Sequence, residues 1–330
     1  MIIPADFARE ILSKCNGDYS IDELSTLAQD LGLDRTSSHA TLRNLISLGL
    51  IHTVEPDPSS TSTARLAYSH QLNGQRETHG SQINFIARTT TEIVIDGAGR
   101  LGTLIAVLLS ASGFPHIRIR DPQLTTWDDV SPWGASRIDI GIRRDFVANA
   151  IINRVHRNTV RGQLTAQTVT QRLAIITPDQ TADWPWFNPL LSDKWLAADT
   201  PHLICAAAND VARISSLITP GQDPCIRCYT QHHIDQDPNW AYVMPQLIDR
   251  PMQDRVTSAL LVIAAHWTVN LVKNWVDREQ SAADKHLQHE RILPDNTGQV
   301  WQMSDSQATP QPVTTYFHPS CGCAWDRLAN

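Results

Sequence analysis

The hydrophobic pattern is most regular between Thr91 and Asp121. A β-branched apolar run, Ile93–Ile95, ends in a glycine-rich turn, and small and apolar residues at helical spacing follow through Ser112. A second short alternating run, His116–Arg120, leads directly to Asp121. This order predicts a strand, a tight turn, a helix and a second strand that ends in an acid, so we expect a βαβ unit here.

The first 54 residues carry a different pattern, in which short helices precede a strand. Apolar residues recur at helical spacing in three segments, and Ser20 and Glu23 stand three residues apart, as in a capping box at the start of a helix. The predicted elements are helices over Asp6–Lys14, Ser20–Leu31 and Thr36–Leu48 and a strand over Leu50–Val54. Their order is typical of a winged helix.

The rest of the pattern divides the chain into two domains. Pro56–Gln82 is polar and rich in Ser, Thr, Gly and Gln, which predicts a linker. Beyond the βαβ unit, the pattern predicts helices over Asp145–Val155 and Trp195–Ala198. It predicts strands over Leu173–Ile176 and His202–Ala206. Such alternation is typical of an α/β fold. We expect a small winged-helix domain with its linker over residues 1–82 and a Rossmann-like domain over residues 83–330.

Composition narrows the classes of partner. The 330 residues are 42% hydrophobic and 18% charged, with a formal net charge of −7, which argues against a general nucleic-acid binder because such affinity comes largely from neutralising phosphates. Residues 1–57 hold four basic and nine acidic residues, so DNA binding by the winged helix is disfavoured too. Recognition of a peptide or protein, or a structural or dimerising role, remains open for this domain.

The long apolar segment Val256–Trp275 predicts a buried core helix rather than a membrane span. It contains His266, Asn270 and Lys273, which are costly in a bilayer. Charged residues among the first ten positions argue against a signal peptide, and six cysteines without such a signal suggest reduced thiols. We therefore expect a cytoplasmic protein with no membrane partner.

The glycine turn carries the first candidate chemistry. Gly97, Gly99 and Gly102 have the spacing that lets a backbone turn tightly and approach phosphates, and the helix that follows offers free N–H groups to an anion. Asp121 lies about 20 residues beyond the turn, where a ribose hydroxyl would need an acceptor. The pattern predicts a nucleotide-binding unit; a purely structural βαβ turn is the alternative.

The cysteines carry the second candidate chemistry. Cys225 and Cys228 form a CxxC pair, and Cys321 and Cys323 form a CxC pair close to the C-terminal end. Two such pairs make one tetrahedral, structural zinc site if the fold brings them together, and this site would clamp the tail onto the domain. A redox CxxC and a chance occurrence of the two pairs are the alternatives. Other residues considered are His232, His233 and His318 as substitute ligands and Cys15 and Cys205 as core thiols.

In combination these motifs resemble the ThiF/MoeB/HesA family, relatives of the ubiquitin-activating enzymes. The similarity covers about residues 85–330 and is greatest to an actinobacterial ThiF-like group, through Gly97–Gly102, Pro224–Cys228, Asp237–Trp240 and His318–Cys323. The acidic N-terminal domain resembles the leader-peptide recognition domains of related proteins, which add an extended peptide to a sheet edge. The resemblance implies a ThiF/MoeB-type domain behind a winged helix.

The resemblance also implies an activity, which is ATP-dependent formation of an acyl-adenylate on the C-terminal carboxylate of a peptide or small protein. The candidate nucleotide-binding residues are Gly97, Gly99, Arg100, Gly102, Asp121, Arg143 and Arg144. Among them Asp121 would bind the ribose, and Arg143 or Arg144 stands in place of a lysine that neutralises phosphate charge. Asp210 is the implied magnesium ligand and Arg137 the implied catalytic arginine. A homodimer is implied because relatives build each ATP site across a two-fold interface.

Three departures from the family pattern suggest an alternative function. Arg100 replaces a small residue within the glycine turn, and Ser131–Arg137 lacks the asparagine of the family's SNLxRQ-like segment. Asn209-Asp210 differs from the usual Thr-Asp-Asn. The alternative is a catalytically degenerate scaffold that binds a precursor (leader) peptide and presents it to a partner enzyme. A nicotinamide oxidoreductase is disfavoured, because the four cysteines have no place in one.

Overall fold

The computed structural model describes residues 11–15, 19–30, 32, 34–47, 51, 85–155, 169–178, 190–208, 210–248, 256–283 and 298–323. The chain divides into two compact units. The first, the N-terminal unit, comprises Met1–Ser62 and Glu77–Gly80, and the second, the larger unit, comprises Thr63–Arg76 and Ser81–Asn330. The predicted domain boundary at residue 82 falls outside the described residues and stays a prediction.

The N-terminal unit contains a 3-10 helix, Leu12–Lys14, and two α-helices, α1 (Ile21–Asp30) and α2 (Arg35–Ser47). The predicted capping box is confirmed: the Glu23 amide donates to Ser20 Oγ (3.2 Å), and the Ser20 amide donates to the Glu23 carboxylate (2.7 Å). A small core joins the helices through Ile11, Leu24, Ala28, Leu42 and Leu45. The predicted helices over 20–31 and 36–48 are thus confirmed, whereas most of the first helix and of the strand over 50–54 lies outside the described residues.

The larger unit alternates helices and strands before its sheet ends in antiparallel strands. Its α-helices are α3 (Phe85–Thr90), α4 (Arg100–Ala111), α5 (Arg144–Val155), α6 (Leu190–Ala197), α7 (Ile226–Gln236), α8 (Trp240–Ile248) and α9 (Ser258–Ala283). Its strands are β1 (Thr91–Asp96), β2 (His116–Arg120), β3 (Gln171–Ile176), β4 (His202–Ala208), β5 (Val211–Ser215), β6 (Gln299–Ser304) and β7 (Gln307–Thr314). Each helix and strand predicted between residues 91 and 206 is therefore present.

In the described part of the chain, seven strands form one mixed sheet in the order β2-β1-β3-β4-β5-β6-β7. The first four strands are parallel and need long crossovers, which α4, α5 and α6 supply. From β4 onward the pairing is antiparallel, since Ala208 pairs with Val211 across a two-residue connection. The α/β prediction is confirmed, but the antiparallel half of the sheet was not predicted.

Each face of the sheet packs a separate apolar cluster. On one face Ile93, Ile95 and Leu173 contact α4 and α9, and on the other Val94 and Ala174 contact Trp195 of α6 and the start of α7. The long helix α9 buries its apolar face in the first cluster. The core helix that was predicted for the segment Val256–Trp275 is therefore confirmed. Among the described residues, no helix is long and apolar enough to cross a membrane.

Candidate nucleotide site and cysteine cluster

The glycine turn joins β1 to α4 at the carboxyl edge of the parallel strands. Gly97 has φ +114°, and a Cβ there would lie 2.0 Å from the carbonyl oxygen of Thr177. A Cβ on Gly102 would lie 2.2 Å from the carbonyl oxygen of Gly97. Both glycines are therefore required by close packing between the turn, the first turn of α4 and the end of β3.

The turn also leaves the N-terminus of α4 without a side-chain cap. Gly99 is the residue before the helix and contributes no side-chain hydrogen bond to it. The first amides of a helix lack partners within the helix and carry a partial positive charge, so they can bind an anion. This geometry suits a phosphate group above the turn.

Asp121 lies at the end of β2, beside the turn. One of its carboxylate oxygens accepts the Ala98 amide (2.7 Å) and the other accepts the Gln123 amide (3.0 Å). The side chain is buried, so it holds the turn against the neighbouring strand. A carboxylate oxygen can accept more than one hydrogen bond, which leaves acceptor capacity for a ribose hydroxyl.

The structure distinguishes the roles of Arg143 and Arg144, which the sequence alone did not. Arg144 is 2% exposed; its Nε donates to Asp129 (2.9 Å), and its Nη1 lies 3.7 Å from Asp121 and donates to Gln123. Arg143 is 46% exposed and pairs with Asp145 (2.6 Å), which raises the pKa of its guanidinium. Arg144 is therefore placed to position Asp121, whereas Arg143 can be reached from solvent.

Arg100 extends away from the glycine turn toward the start of α9. Its Nη2 donates to the carbonyl oxygen of Val256 (3.3 Å), and its own carbonyl accepts the indole N–H of Trp133 (3.0 Å). The second bond brings the 131–136 segment to the turn. Arg137 follows that segment at the surface, with its guanidinium over the ring of Trp127 (5.2 Å to the ring centre).

Asp210 lies elsewhere on the sheet. It is exposed in the connection between β4 and β5, and its carbonyl accepts the Asp305 amide (3.3 Å). Strand β3 stands between β1 and β4, so this connection does not adjoin the strand that carries the glycine turn. The assignment of Asp210 to magnesium stays a prediction.

Three residues at the glycine turn were not predicted from the sequence. Thr177 donates from Oγ1 to the carbonyl of Gly97 (2.9 Å), and Lys194 of α6 forms an ion pair with Asp96, the last residue of β1. The available signal for Thr177 was its position directly after the predicted strand 173–176. Asp96 directly precedes the glycines, but no sequence pattern linked it to Lys194, which is 98 residues away.

The cysteine pairs come together as predicted. Cys225 lies 3.3 Å from Cys321 and Cys228 lies 3.3 Å from Cys323, and all four sulfurs lie within 4.8 Å of one another. Tetrahedral zinc with bonds of about 2.3 Å would place its sulfurs about 3.8 Å apart, so the cluster could bind zinc. Hydrogen bonds from Cys225 and Cys228 lower the pKa of Cys321, to about 7, and that of Cys323, whereas the pKa values of Cys225 and Cys228 themselves are raised; these contacts therefore favour the thiolate at Cys321 and Cys323 only.

A group beside this cluster, His232, Asp235 and His318, has suitable atoms for a metal but uses them within the protein. Ser320 donates its amide to Nδ1 of His318 (3.1 Å), so the proton of that ring lies on Nε2 and is donated to Asp235 (2.8 Å). His232 donates from Nε2 to the carbonyl of Tyr316 (3.1 Å). The group therefore joins α7 to the tail, and the four cysteines are the better metal ligands.

Comparison with known proteins shows the fold. No protein-family model and no curated protein matches the sequence. Escherichia coli MccB matches in structure with a TM-score of 0.59 and 14% identity, over 98% of this chain and 89% of that one. PaaA matches with a TM-score of 0.63 and 12% identity, over 90% of this chain and 99% of that one.

Two further similar structures are complexes of MccB with a ligand. The complex of E. coli MccB with ATP matches with a TM-score of 0.55 and 14% identity, over 91% of this chain and 84% of that one. The microcin C7 biosynthetic enzyme MccB in complex with N-formylated MccA matches with a TM-score of 0.56 and 13% identity, over 91% and 85%. The chain thus shares the fold of MccB and of PaaA. The actinobacterial group and the winged helix stay predictions.

Proposed function

We propose that this chain is an ATP-dependent adenylyltransferase that activates the C-terminal carboxylate of a peptide or small protein as an acyl-adenylate, in the biosynthesis of a modified peptide. The observation that carries the proposal is the glycine turn with its uncapped helix and Asp121, in a fold shared with MccB. MccB has been crystallised with ATP and with the peptide MccA.

Each residue at the turn has a role in this proposal. Gly97, Gly99 and Gly102 let the phosphates approach the first amides of α4. Asp121 accepts a ribose hydroxyl, and Arg144 positions Asp121 through the buried pair. A side chain that reaches solvent is needed to offset the phosphate charge, which assigns that role to Arg143 rather than Arg144.

The proposed reaction is an exchange of bonds at phosphorus. A carboxylate oxygen of the peptide attacks the α-phosphorus of ATP, the bond to the bridging oxygen breaks, and pyrophosphate leaves with the bonding electrons. Negative charge grows on the leaving group, so cations near it lower the barrier. Arg137 is the candidate cation beyond Arg143, since Arg100 donates to the carbonyl of Val256 instead. Magnesium, for which the exposed Asp210 is the candidate ligand, would supply further charge.

The partners of the chain form part of the same proposal. Zinc held by the four cysteines would be structural, since four thiolates leave no open position. The peptide would be recognised with the help of the N-terminal unit. A second copy of the chain would cover large apolar side chains that are exposed around the site, namely Leu124, Trp127, Ile138, Ile142 and Phe146.

The first test is ATP binding by calorimetry with magnesium present, comparing Gly97→Ala with Gly221→Ala. Both glycines have positive φ, but a Cβ at Gly221 meets nothing within 4 Å, whereas one at Gly97 collides with Thr177. Alanine also meets a less favourable backbone at Gly97, where φ is +114°, than at Gly221, where φ is +72°. We expect ATP binding by the native chain and by Gly221→Ala, and a loss of at least about tenfold in affinity for Gly97→Ala.

Catalysis is tested by ATP–pyrophosphate exchange with candidate peptides that carry a free C-terminal carboxylate. Exchange with such a peptide, and none with the same peptide as its C-terminal amide, is the expected result. Absence of ATP binding by the folded native chain would refute the proposal. Peptide binding without ATP binding would identify the chain as a presenting scaffold instead.

A further inference from the structure

An ion pair joins α6 to the residue that precedes the glycine turn. Nζ of Lys194 contacts Oδ2 of Asp96, the last residue of β1, and Gly97 follows at once. The Asp96 side chain is 20% exposed and that of Lys194 is 53% exposed. The carboxylate is thus largely enclosed beside the turn, while the ammonium group reaches solvent.

The position of Asp96 creates an electrostatic problem for a nucleotide site. A carboxylate one residue before a phosphate-binding turn repels a polyphosphate, and the repulsion is strong in the partly buried edge of a sheet because the effective dielectric constant is low there. Lys194 removes the net charge of this position. Strand alternation places Asp96 on the face of β1 that α6 covers, which is why a residue of α6 reaches it.

We propose that Lys194 is a positioning residue for nucleotide phosphate. It neutralises Asp96 and so reduces the electrostatic repulsion between the glycine turn and a polyphosphate. The inference rests on the proposed ATP function and extends it to a residue outside the turn. In this role Lys194 acts through Asp96 and does not itself bind phosphate. The two residues should therefore behave as a pair.

The test is a cycle of variants, Lys194→Met, Asp96→Asn and the two combined, in the full chain. Methionine keeps the apolar length of the side chain, whose Nζ lies 5.2 Å from the ring centre of Trp195. Calorimetry with MgATP, AMP and adenosine reports the charge dependence. We expect Lys194→Met to weaken ATP binding about tenfold, AMP binding less and adenosine binding not at all, with the loss reduced at high salt.

The combined variant separates this mechanism from direct phosphate binding by Lys194. If Lys194 acts by neutralising Asp96, the combined variant binds ATP as the native chain does, and Asp96→Asn alone binds it more tightly. A combined variant as weak as Lys194→Met would overturn the proposal, and so would an equal loss of ATP and adenosine binding.

Arg118→Met is the matched control, since it removes one exposed positive charge from the same face of the sheet. Arg118 pairs with Glu92, about 13 Å along β1 from Asp96, and Glu92 keeps its second partner, Arg172. ATP affinity should not change in this variant. A native chain that binds no ATP would refute the proposed function, whereas ATP binding that is insensitive to Lys194→Met refutes this inference alone.

Discussion

Arg144 shows how one buried side chain organises the candidate site. Its guanidinium lies between Asp129 and Asp121, and Asp121 in turn accepts the Ala98 amide of the glycine turn. Both carboxylates are at least 95% buried, so solvent offers little compensation if the arginine is removed. Burying a charge is costly unless it is paired, so the three residues depend on one another.

We predict that Arg144→Met lowers the free energy of unfolding by about 3–5 kcal/mol, because two carboxylates would be left buried without their cation. Arg143→Met is the neighbouring control: it removes an exposed pair, which contributes little to stability because water screens it. Urea unfolding of both variants measures the difference. Equal and small losses would show that Arg144 is not needed to hold Asp121.

His202 links burial to pH dependence. It begins β4, is fully buried, and donates from Nδ1 to the carbonyl of Thr200 (2.9 Å), while its Nε2 has no partner in the described part of the chain. Burial lowers the pKa of His202 to about 4. Below the ordinary pKa of 6.5, His202 therefore binds a proton in the unfolded chain but stays neutral in the folded chain until the pH approaches 4.

The consequence is a loss of stability as the pH falls from about 6.5 to about 4. Between pH 7 and pH 5 this histidine alone should lower the free energy of unfolding by about 2 kcal/mol. His202→Leu should remove that component, so urea unfolding of the variant is compared with that of the native chain at both pH values. If the two chains lose the same stability on acidification, His202 is protonated in the folded state.

At the scale of elements, the sequence predicted those parts that local chemistry determines. Helical spacing of apolar residues and the Ser20–Glu23 capping box located α1, and the glycines between Ile95 and Leu104 located the β1–α4 turn. Asp121 was recognised because its distance from the turn is set by the length of one helix and one strand. Contacts between neighbours in sequence carry this information.

Elements whose partners are distant in sequence could not be predicted in the same way. Strand β6 pairs with β5, so that Trp301 of β6 lies opposite Ile214 of β5, 87 positions earlier in the chain. No local sequence pattern predicts that register. Lys194 reaches Asp96 only because α6 packs on one face of β1. The roles of Arg143 and Arg144 depended on which side chain pointed inward, which adjacent positions do not reveal.

At the scale of the whole molecule, the cysteine cluster joins two distant parts of the chain. Cys225 directly precedes α7 and Cys228 lies in its first turn, whereas Cys321 and Cys323 follow the last strand of the sheet. The hydrogen bond between His318 and Asp235 joins the same two segments. Closing so long a loop is entropically unfavourable, so a bound metal would stabilise the folded chain relative to the unfolded one.

We therefore predict about one zinc ion per chain in the purified protein. Cys321→Ser should lose the metal because serine offers no thiolate, and the variant should unfold at a lower urea concentration than the native chain. Cys205→Ser is the matched control: this thiol is buried in the core away from the cluster, and burial raises its pKa to about 12. Elemental analysis of the three proteins measures the zinc. A native chain that folds without metal, or equal loss of zinc from both variants, would contradict a zinc site formed by the four clustered cysteines.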